Sequence, residues 1–249
     1  MIYMFDYIND LTTDKFDEFY NNKKKFLDKI HFKENEDDNF LKQLINNELE
    51  LKYWIREFNN RSFDLSNTYL MLINYYNKGI PDKEWYMSPG KNGCSVQYFP
   101  HFEEQHYAYL YWFGFYMDSF YTRFFGLIDT IYHILNIKYN LEVPEKLGFN
   151  KEVAKKLKEY DNDLVEYLNK VRKDNVYSKV SEFRNNITHN YRPNQITSGI
   201  DRKIGTDGSI IINYGIGIYT TTEEFKDNIE KGIELLAKIV DDIREKIEI

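Results

Sequence analysis

From Tyr107 to Met117 the chain runs for eleven residues with nothing but apolar, aromatic and glycine side chains, and the run stops at Asp118. It is too short for a membrane span, which needs roughly 20 apolar residues. Arg123, Asp129 and His133 punctuate its continuation. Such a segment is satisfied only as a helix covered on nearly every side by other helices, and the pattern predicts one from about His101 to Tyr139. That requirement makes the fold all-α, a helical bundle.

The flanking sequence supplies the covering helices. Phe16, Phe19, Tyr20, Phe26, Leu27 and Ile30 recur at helical spacing from Thr13 to about Ile30, with Thr12 or Thr13 as N-cap. The acidic stretch Glu34 to Asp38 separates this from a second helix, about Asp38 to Asn59. Ser62 is placed to cap a third, ending near Gly79. Pro81, Pro89, Gly90, Gly93 and Pro100 make the stretch from 80 to 100 irregular. After the aromatic helix, Asn150 caps a helix from Lys151 to Arg172 with Phe149 as its hydrophobic staple. A short helix from about Asn175 to Asn190 follows. From about 196 to 221 the register changes to one β-hairpin insertion, with Asp207-Gly208 at its turn and Ile216 and Ile218 in its second strand. Thr221 or Thr222, followed by Glu223 and Glu224, caps the last helix.

Composition narrows the function classes. The 249 residues hold 22 Tyr and 18 Phe, so a large core can be built from rings whose hydroxyls stay wet. The single Cys94 excludes an internal disulfide framework and most cysteine-based zinc sites. No basic-then-apolar leader opens the chain, since Asp6 and Asp10 follow Met1 to Phe5 at once. The expectation is a cytoplasmic protein with no membrane span. The formal charge is −7, yet residues 170–203 carry a balance of +5, leaving −12 to the rest. A basic island on an acidic chain is what a polyanion-binding surface looks like at sequence level.

Within that island lies Arg184-Asn185-Asn186-Ile187-Thr188-His189-Asn190-Tyr191. Arginine offers a planar fork of donors suited to phosphate. Histidine moves protons near neutral pH. Together they suit phosphodiester chemistry. On a straight helix Arg184 and His189 stand about 140° apart, so they converge only if the helix frays, bends or meets a partner. Pro193 disfavours helix at Arg192, which gives His189 a last turn with freedom to move. A two-fold dimer across this helix would gather two Arg and two His into one cleft. The bland reading is a solvated helix face whose Arg and His complement the C-terminal dipole.

Arg184-Asn185-x-x-x-His189 resembles the signature of the HEPN superfamily, helical-bundle domains found in bacterial RNases and toxins. Tyr191 extends the likeness to the Arg-x4-His-x-Tyr form of toxins paired with a small nucleotidyltransferase. The resemblance implies an up-and-down bundle, usually dimeric, with residues 101–249 as the core and residues 1–100 as an N-terminal helical extension. It further implies a metal-independent endoribonuclease with no cofactor, in defence or a toxin–antitoxin setting, whose partners would be RNA, a second copy and a cognate antitoxin or nucleotidyltransferase. Arg184 and His189 would be catalytic, with Asn185, Asn190 and Tyr191 in support. The alternatives are a non-catalytic nucleotide- or RNA-binding module and a protein-interaction subunit modified at Tyr191.

Other constellations are weaker. Glu103-x-x-His106 has the ligand spacing of di-iron bundles, but its only substitute for a second pair is Asp28-x-x-His31. Gly90-Lys91 lacks the remaining residues of a phosphate loop. Asp118 and Asp129 lie on the aromatic helix and could stand behind the Arg184 site, because that helix should line the core. Arg123 should pair with a neighbouring carboxylate.

Overall fold

A computed structural model of the chain describes residues 4–8, 11–33, 48–196, 200–214 and 219–248. The described residues form seven α-helices: α1 (Thr13–Leu27), α2 (Glu48–Tyr76), α3 (Glu104–Lys138), α4 (Phe149–Leu157), α5 (Asn162–Arg172), α6 (Asn175–His189) and α7 (Thr222–Ile247). Two antiparallel ladders accompany them, β1 (Tyr86–Met87) with β2 (Gln97–Tyr98), and β3 (Ile200–Ile204) with β4 (Ile210–Tyr214). The molecule is a mostly helical bundle with a hairpin inserted before the last helix. No helix among the described residues is long and apolar enough to cross a membrane.

The aromatic helix α3 is the axis. It runs 35 residues, about 52 Å, and touches α2, α4, α6 and α7. Phe113, Met117, Phe120, Tyr121, Phe124, Leu127, Ile131 and Leu135 are buried along it. The longest interface is with α2. There Arg123 Nη1 meets Asp64 Oδ2 at 2.8 Å, the pairing expected for that arginine. Helix α7 lays Phe225, Ile229, Ile233, Leu236 and Val240 into the core. Tyr121 donates its buried hydroxyl to Asn228 Oδ1 across that interface at 2.8 Å.

Two helix boundaries differ from expectation. The separate helices ending at Asn59 and starting at Ser62 are one, because the polar residues between them find tertiary partners instead of capping. Asn59 clamps Phe32 through both amide atoms, at 2.9 and 3.0 Å. Arg61 Nη1 donates to Thr130 Oγ1 on α3 at 2.9 Å. Ser62 is buried and donates to the Ile30 carbonyl. The acidic stretch 34–38 and the expected helix start up to residue 47 lie outside the described residues.

Conversely, the single helix expected over 151–172 is two. Asp161 caps α5 by accepting the Leu164 N–H at 2.8 Å, while its other oxygen takes the Tyr139 hydroxyl at 2.8 Å. Asn150 sits inside α4 rather than capping it, since Gly148 holds the N-cap position with φ +86°.

The loop after α2 is tied down as well as irregular. Buried Asp82 accepts the Tyr219 hydroxyl at 2.8 Å, the Thr222 N–H at 2.7 Å and the Thr222 hydroxyl at 2.9 Å. Burial nevertheless holds its pKa above the usual carboxylate value. Trp85, Tyr98 and Tyr219 cluster over this tether. At Gly90 a Cβ would stand 3.0–3.1 Å from the backbone of Val96, Cys94 and Gln97, so only glycine admits that chain approach. At the other end of the sequence Thr221 and Glu224 form the capping box of α7, the Thr221 N–H donating to Glu224 at 3.0 Å. In the hairpin, Gly208 takes φ +81°, and Asp207 Oδ1 accepts the Ser209 N–H at 3.0 Å. Ile216 and Ile218 lie outside the described residues.

Phe149, expected as a staple, performs a different task. His133 of α3 stacks between Trp54 of α2, with centroids 4.0 Å apart, and Phe149 of α4, at 4.4 Å. The sandwich joins three helices, and burial lowers the His133 pKa, partly opposed by Glu145. The neutral ring is therefore the stable form. Its contribution is present above the unfolded value of about 6.5 and is lost as pH falls through the lower folded value. His133→Phe keeps the stacking without a titrating group. We expect its melting temperature to fall less than that of the wild type between about pH 7 and pH 5, and an equal fall would refute the assignment.

Candidate functional site

Helix α6 presents the Arg-Asn-x-x-x-His segment because its other side is anchored. Asp174 caps it, accepting the Val176 N–H at 2.8 Å. Val180 and Phe183 are buried, with Phe183 4.7 Å from the Phe225 ring and 5.9 Å from Tyr121. Gly232 on α7 lets Val180 come within van der Waals reach of its backbone. The residue after Phe183 therefore emerges at the edge of the core.

That residue is Arg184. Its guanidinium lies 5.7 Å from the centroid of Phe125 on α3, and Nη1 donates to Asn185 Oδ1 at 3.0 Å. An arginine held over a ring keeps its remaining donors facing outward. The helix continues to His189, and Asn190 leaves it in extended conformation. Thr188 Oγ1 returns its proton to the Arg184 carbonyl at 2.7 Å, and Asn190 Nδ2 donates to Asn186 Oδ1 at 3.1 Å. His189 and Tyr191 are exposed, and His189 has no hydrogen-bond partner among the described residues. Because α6 stays helical throughout, Arg184 and His189 remain about 140° apart around it. One chain alone brings Arg184 to Asn185 and Phe125, and does not bring it to His189.

Both candidate carboxylates flank Phe125 on one stripe of α3. Asp118 lies seven residues before it, about 10 Å along the axis. Its Oδ2 meets Arg192 Nη2 at 2.9 Å. Burial raises its pKa, with Arg192 pulling the other way. Asp129 lies one turn beyond Phe125, and its Oδ1 accepts from Asn150 Nδ2 at 2.6 Å. It faces a second groove, of about 490 Å³, with His133, Glu145 and Arg172. The residues after α6 thus retrace α3 from Phe125 through Asp118 to Gly114, where a Cβ would sit 3.0 Å from Asn194 Nδ2. This path opens a groove of about 460 Å³ beside the motif.

The sequence missed Phe125 as the platform for Arg184, though its spacing from Asp118 and Asp129 signals one shared face. Within the basic island, Lys179 pairs with Glu182 at 3.0 Å, Arg172 donates to the Tyr132 hydroxyl at 2.8 Å, and Arg192 pairs with Asp118. The remaining constellations have structural roles. His106 Nδ1 accepts the Glu103 N–H at 2.9 Å as part of the capping box of α3, and His101 Nε2 pairs with Glu84 at 2.9 Å. No group of three or more His, Cys, Asp or Glu among the described residues is arranged to hold a metal ion.

The Asp118–Arg192 pair makes a testable difference to stability. In Arg192→Ala the half-buried carboxylate loses its counter-charge, and we expect a loss of about 1 kcal/mol at pH 7, discounted because Arg192 is part-exposed. Without Arg192 the raising effect of burial is unopposed, so Asp118 takes up its proton at a higher pH than in the wild type. The deficit should shrink as pH falls to about 4, read as the melting-temperature gap between variant and wild type. A gap independent of pH would show that the pair does not stabilise the fold.

The HEPN family model described as HEPN_Cthe2314-like HEPN matches residues 54–248, more than three quarters of the chain and all of α3 to α7. No curated protein and no solved structure matches it.

Proposed function

The chain belongs to the HEPN superfamily, and from that premise we propose that it is a metal-independent endoribonuclease acting in the cytoplasm. The observation that carries this reading is the pairing of a fixed cation with a free imidazole on one helix. Arg184 is held by Phe125 and Asn185 with donors to spare, and His189 stands exposed five residues on. The arginine fork suits the non-bridging oxygens of a phosphodiester. His189 accepts the proton of the ribose 2′-hydroxyl as that oxygen attacks phosphorus, or delivers a proton to the departing 5′-oxygen. The bond from phosphorus to the 5′-oxygen breaks, leaving a 2′,3′-cyclic phosphate and a 5′-hydroxyl. DNA lacks the nucleophile and stays intact. Asn185 orients Arg184, and Asn190 with Asn186 braces the end of the helix below His189.

Two proton transfers are needed, and the two side chains of one helix diverge. A homodimer packed across α6 brings two Arg184 and two His189 into one cleft, so that one imidazole takes the 2′-hydroxyl proton and the other protonates the departing 5′-oxygen, with the guanidinium groups on the phosphate. A defence or toxin role, with an antitoxin or a nucleotidyltransferase as partner, agrees with the exposed hydroxyl of Tyr191, which offers a place for covalent silencing. The divergence of Arg184 and His189 also favours a second reading, a module that holds RNA without cutting it.

Incubation with mixed-sequence RNA in EDTA separates these readings. We expect cyclic-phosphate ends from the wild type and a loss of roughly 100-fold or more in His189→Ala, the scale of a lost general acid or base. Arg184→Lys should lose about 10-fold or more, since a point charge does not replace the fork. Cleavage by folded His189→Ala at the wild-type rate would overturn the assignment. RNA binding without cleavage by either chain would establish the binding module.

A further inference from the structure

The strands of the second hairpin, β3 and β4, make an extended contact only with each other among the described residues. Alternation along their ladder puts Ile200, Ile204, Ile210 and Ile212 on one face, with Arg202 between them. Those four isoleucines are between 48% and 75% exposed, and Ile211 on the reverse face is 53% exposed. A two-stranded hairpin is at best marginally stable in water without further strands or a helix against it. The hairpin is therefore short of a partner.

The backbone specifies what kind. Gly205 donates its N–H to the Ser209 carbonyl at 2.8 Å, closing the ladder at the turn. Bonded and unbonded pairs alternate in an antiparallel ladder, so Lys203–Ile211 and Asp201–Asn213 are the pairs that exchange hydrogen bonds across the hairpin. The N–H and C=O groups of Ile200, Arg202 and Ile204 then point away from β4, along an open edge. Apart from water, such a row is matched by another strand. Sequence selects the strand. Read against itself in the opposite direction, Ile200-Asp201-Arg202-Lys203-Ile204 sets isoleucine opposite isoleucine and Asp201 opposite Lys203. Both are favourable cross-strand pairs, offset in part by Arg202 opposite itself. The edge of β4 has no such match: Ile210 falls opposite Tyr214, and Ile211 opposite Asn213.

We propose that β3 is a dimerisation edge, pairing antiparallel with β3 of a second copy about a two-fold axis at Arg202 to make one four-stranded sheet. Hydrogen bonds run reciprocally between the two Arg202 residues, and between Ile200 and the second copy's Ile204, the residues whose backbone groups face outward. Ile200, Ile204, Ile210 and Ile212 of both chains fall on the same side of the joined sheet. It thus has the strand number and the continuous apolar face that a lone hairpin lacks. The pairing does not depend on the nuclease reading. It goes beyond that reading by supplying, from a strand that begins eleven residues after His189, the second copy that converging motifs require.

Sedimentation equilibrium of the purified full chain tests the pairing. We expect a species of twice the 30.1 kDa chain mass that dissociates on dilution, with a Kd on the order of 10 μM, as suits a small interface. Arg202→Pro removes an outward N–H and no bond of the β3–β4 ladder, so it blocks the edge and leaves the hairpin paired. It should be monomeric under the same conditions, with an unchanged helical circular dichroism spectrum. Asp201→Lys turns both cross-chain attractions into repulsions and should raise the Kd roughly 10-fold. Adding Lys203→Asp to it should restore the wild-type value. A wild type still monomeric at about 100 μM, a dimer that survives Arg202→Pro, or a double swap no tighter than Asp201→Lys alone would overturn the pairing. Should Arg202→Pro fail to fold, the charge swap decides the matter. A dimer that meets these tests yet cuts no RNA keeps the pairing and refutes only the nuclease. Cleavage by monomeric Arg202→Pro at the wild-type rate keeps the pairing too, and refutes only the site shared between two chains.

Discussion

Everything in this molecule is arranged around the need to keep one long aromatic helix out of water. Helix α3 carries buried rings or branched side chains over most of its circumference, which two neighbours could not cover. Helix α2 covers one flank for most of its 29 residues, α7 another, and α4 and α6 close the remaining sectors. The cover is apolar in the middle and polar at the seams. Arg61 on Thr130, Arg123 on Asp64, and Tyr121 on Asn228 fix how each helix sits without placing an unpaired charge in the core.

The candidate site is a by-product of where that cover ends. Burial of Val180 and Phe183 forces the next residue of α6 to the rim, and the rim at that point is Phe125. Arg184 is positioned by packing as much as by charge. The chain beyond His189 then returns along α3, because Arg192 finds Asp118 there and Gly114 leaves room for Asn194. One stripe of one helix thus organises the phosphate-binding candidate, both nearby carboxylates and the aromatic groove.

The sequence makes legible whatever depends on local pattern. The apolar run of α3, the capping box of α7 and the glycine turn of the hairpin each follow from residues within a few positions of one another. The Arg184–His189 segment was equally visible, because its chemistry is carried by residue type and spacing. What stayed hidden depends on distant partners. Asn59 and Ser62 look like helix ends until Phe32 and Ile30 occupy their polar atoms. Asp161 breaks a helix with help from Tyr139, and Lys179, Arg172 and Arg192 of the island find Glu182, Tyr132 and Asp118. The angle between Arg184 and His189 was computable from helical geometry; whether the helix would persist to His189 was not.

The tether at Asp82 has a consequence for the order in which the chain can assemble. Its three donors lie on Tyr219 and Thr222, 137 and 140 residues downstream. During synthesis the loop after α2 therefore emerges long before the groups that complete it, and a carboxylate destined for burial waits in solvent. Closing so long a loop is entropically slow but adds little cost for each further residue. The first two thirds of the bundle can gather around α3 early. The loop from residue 80 to 100 locks only when α7 arrives, which makes the last helix the keystone of assembly rather than an appendage to it.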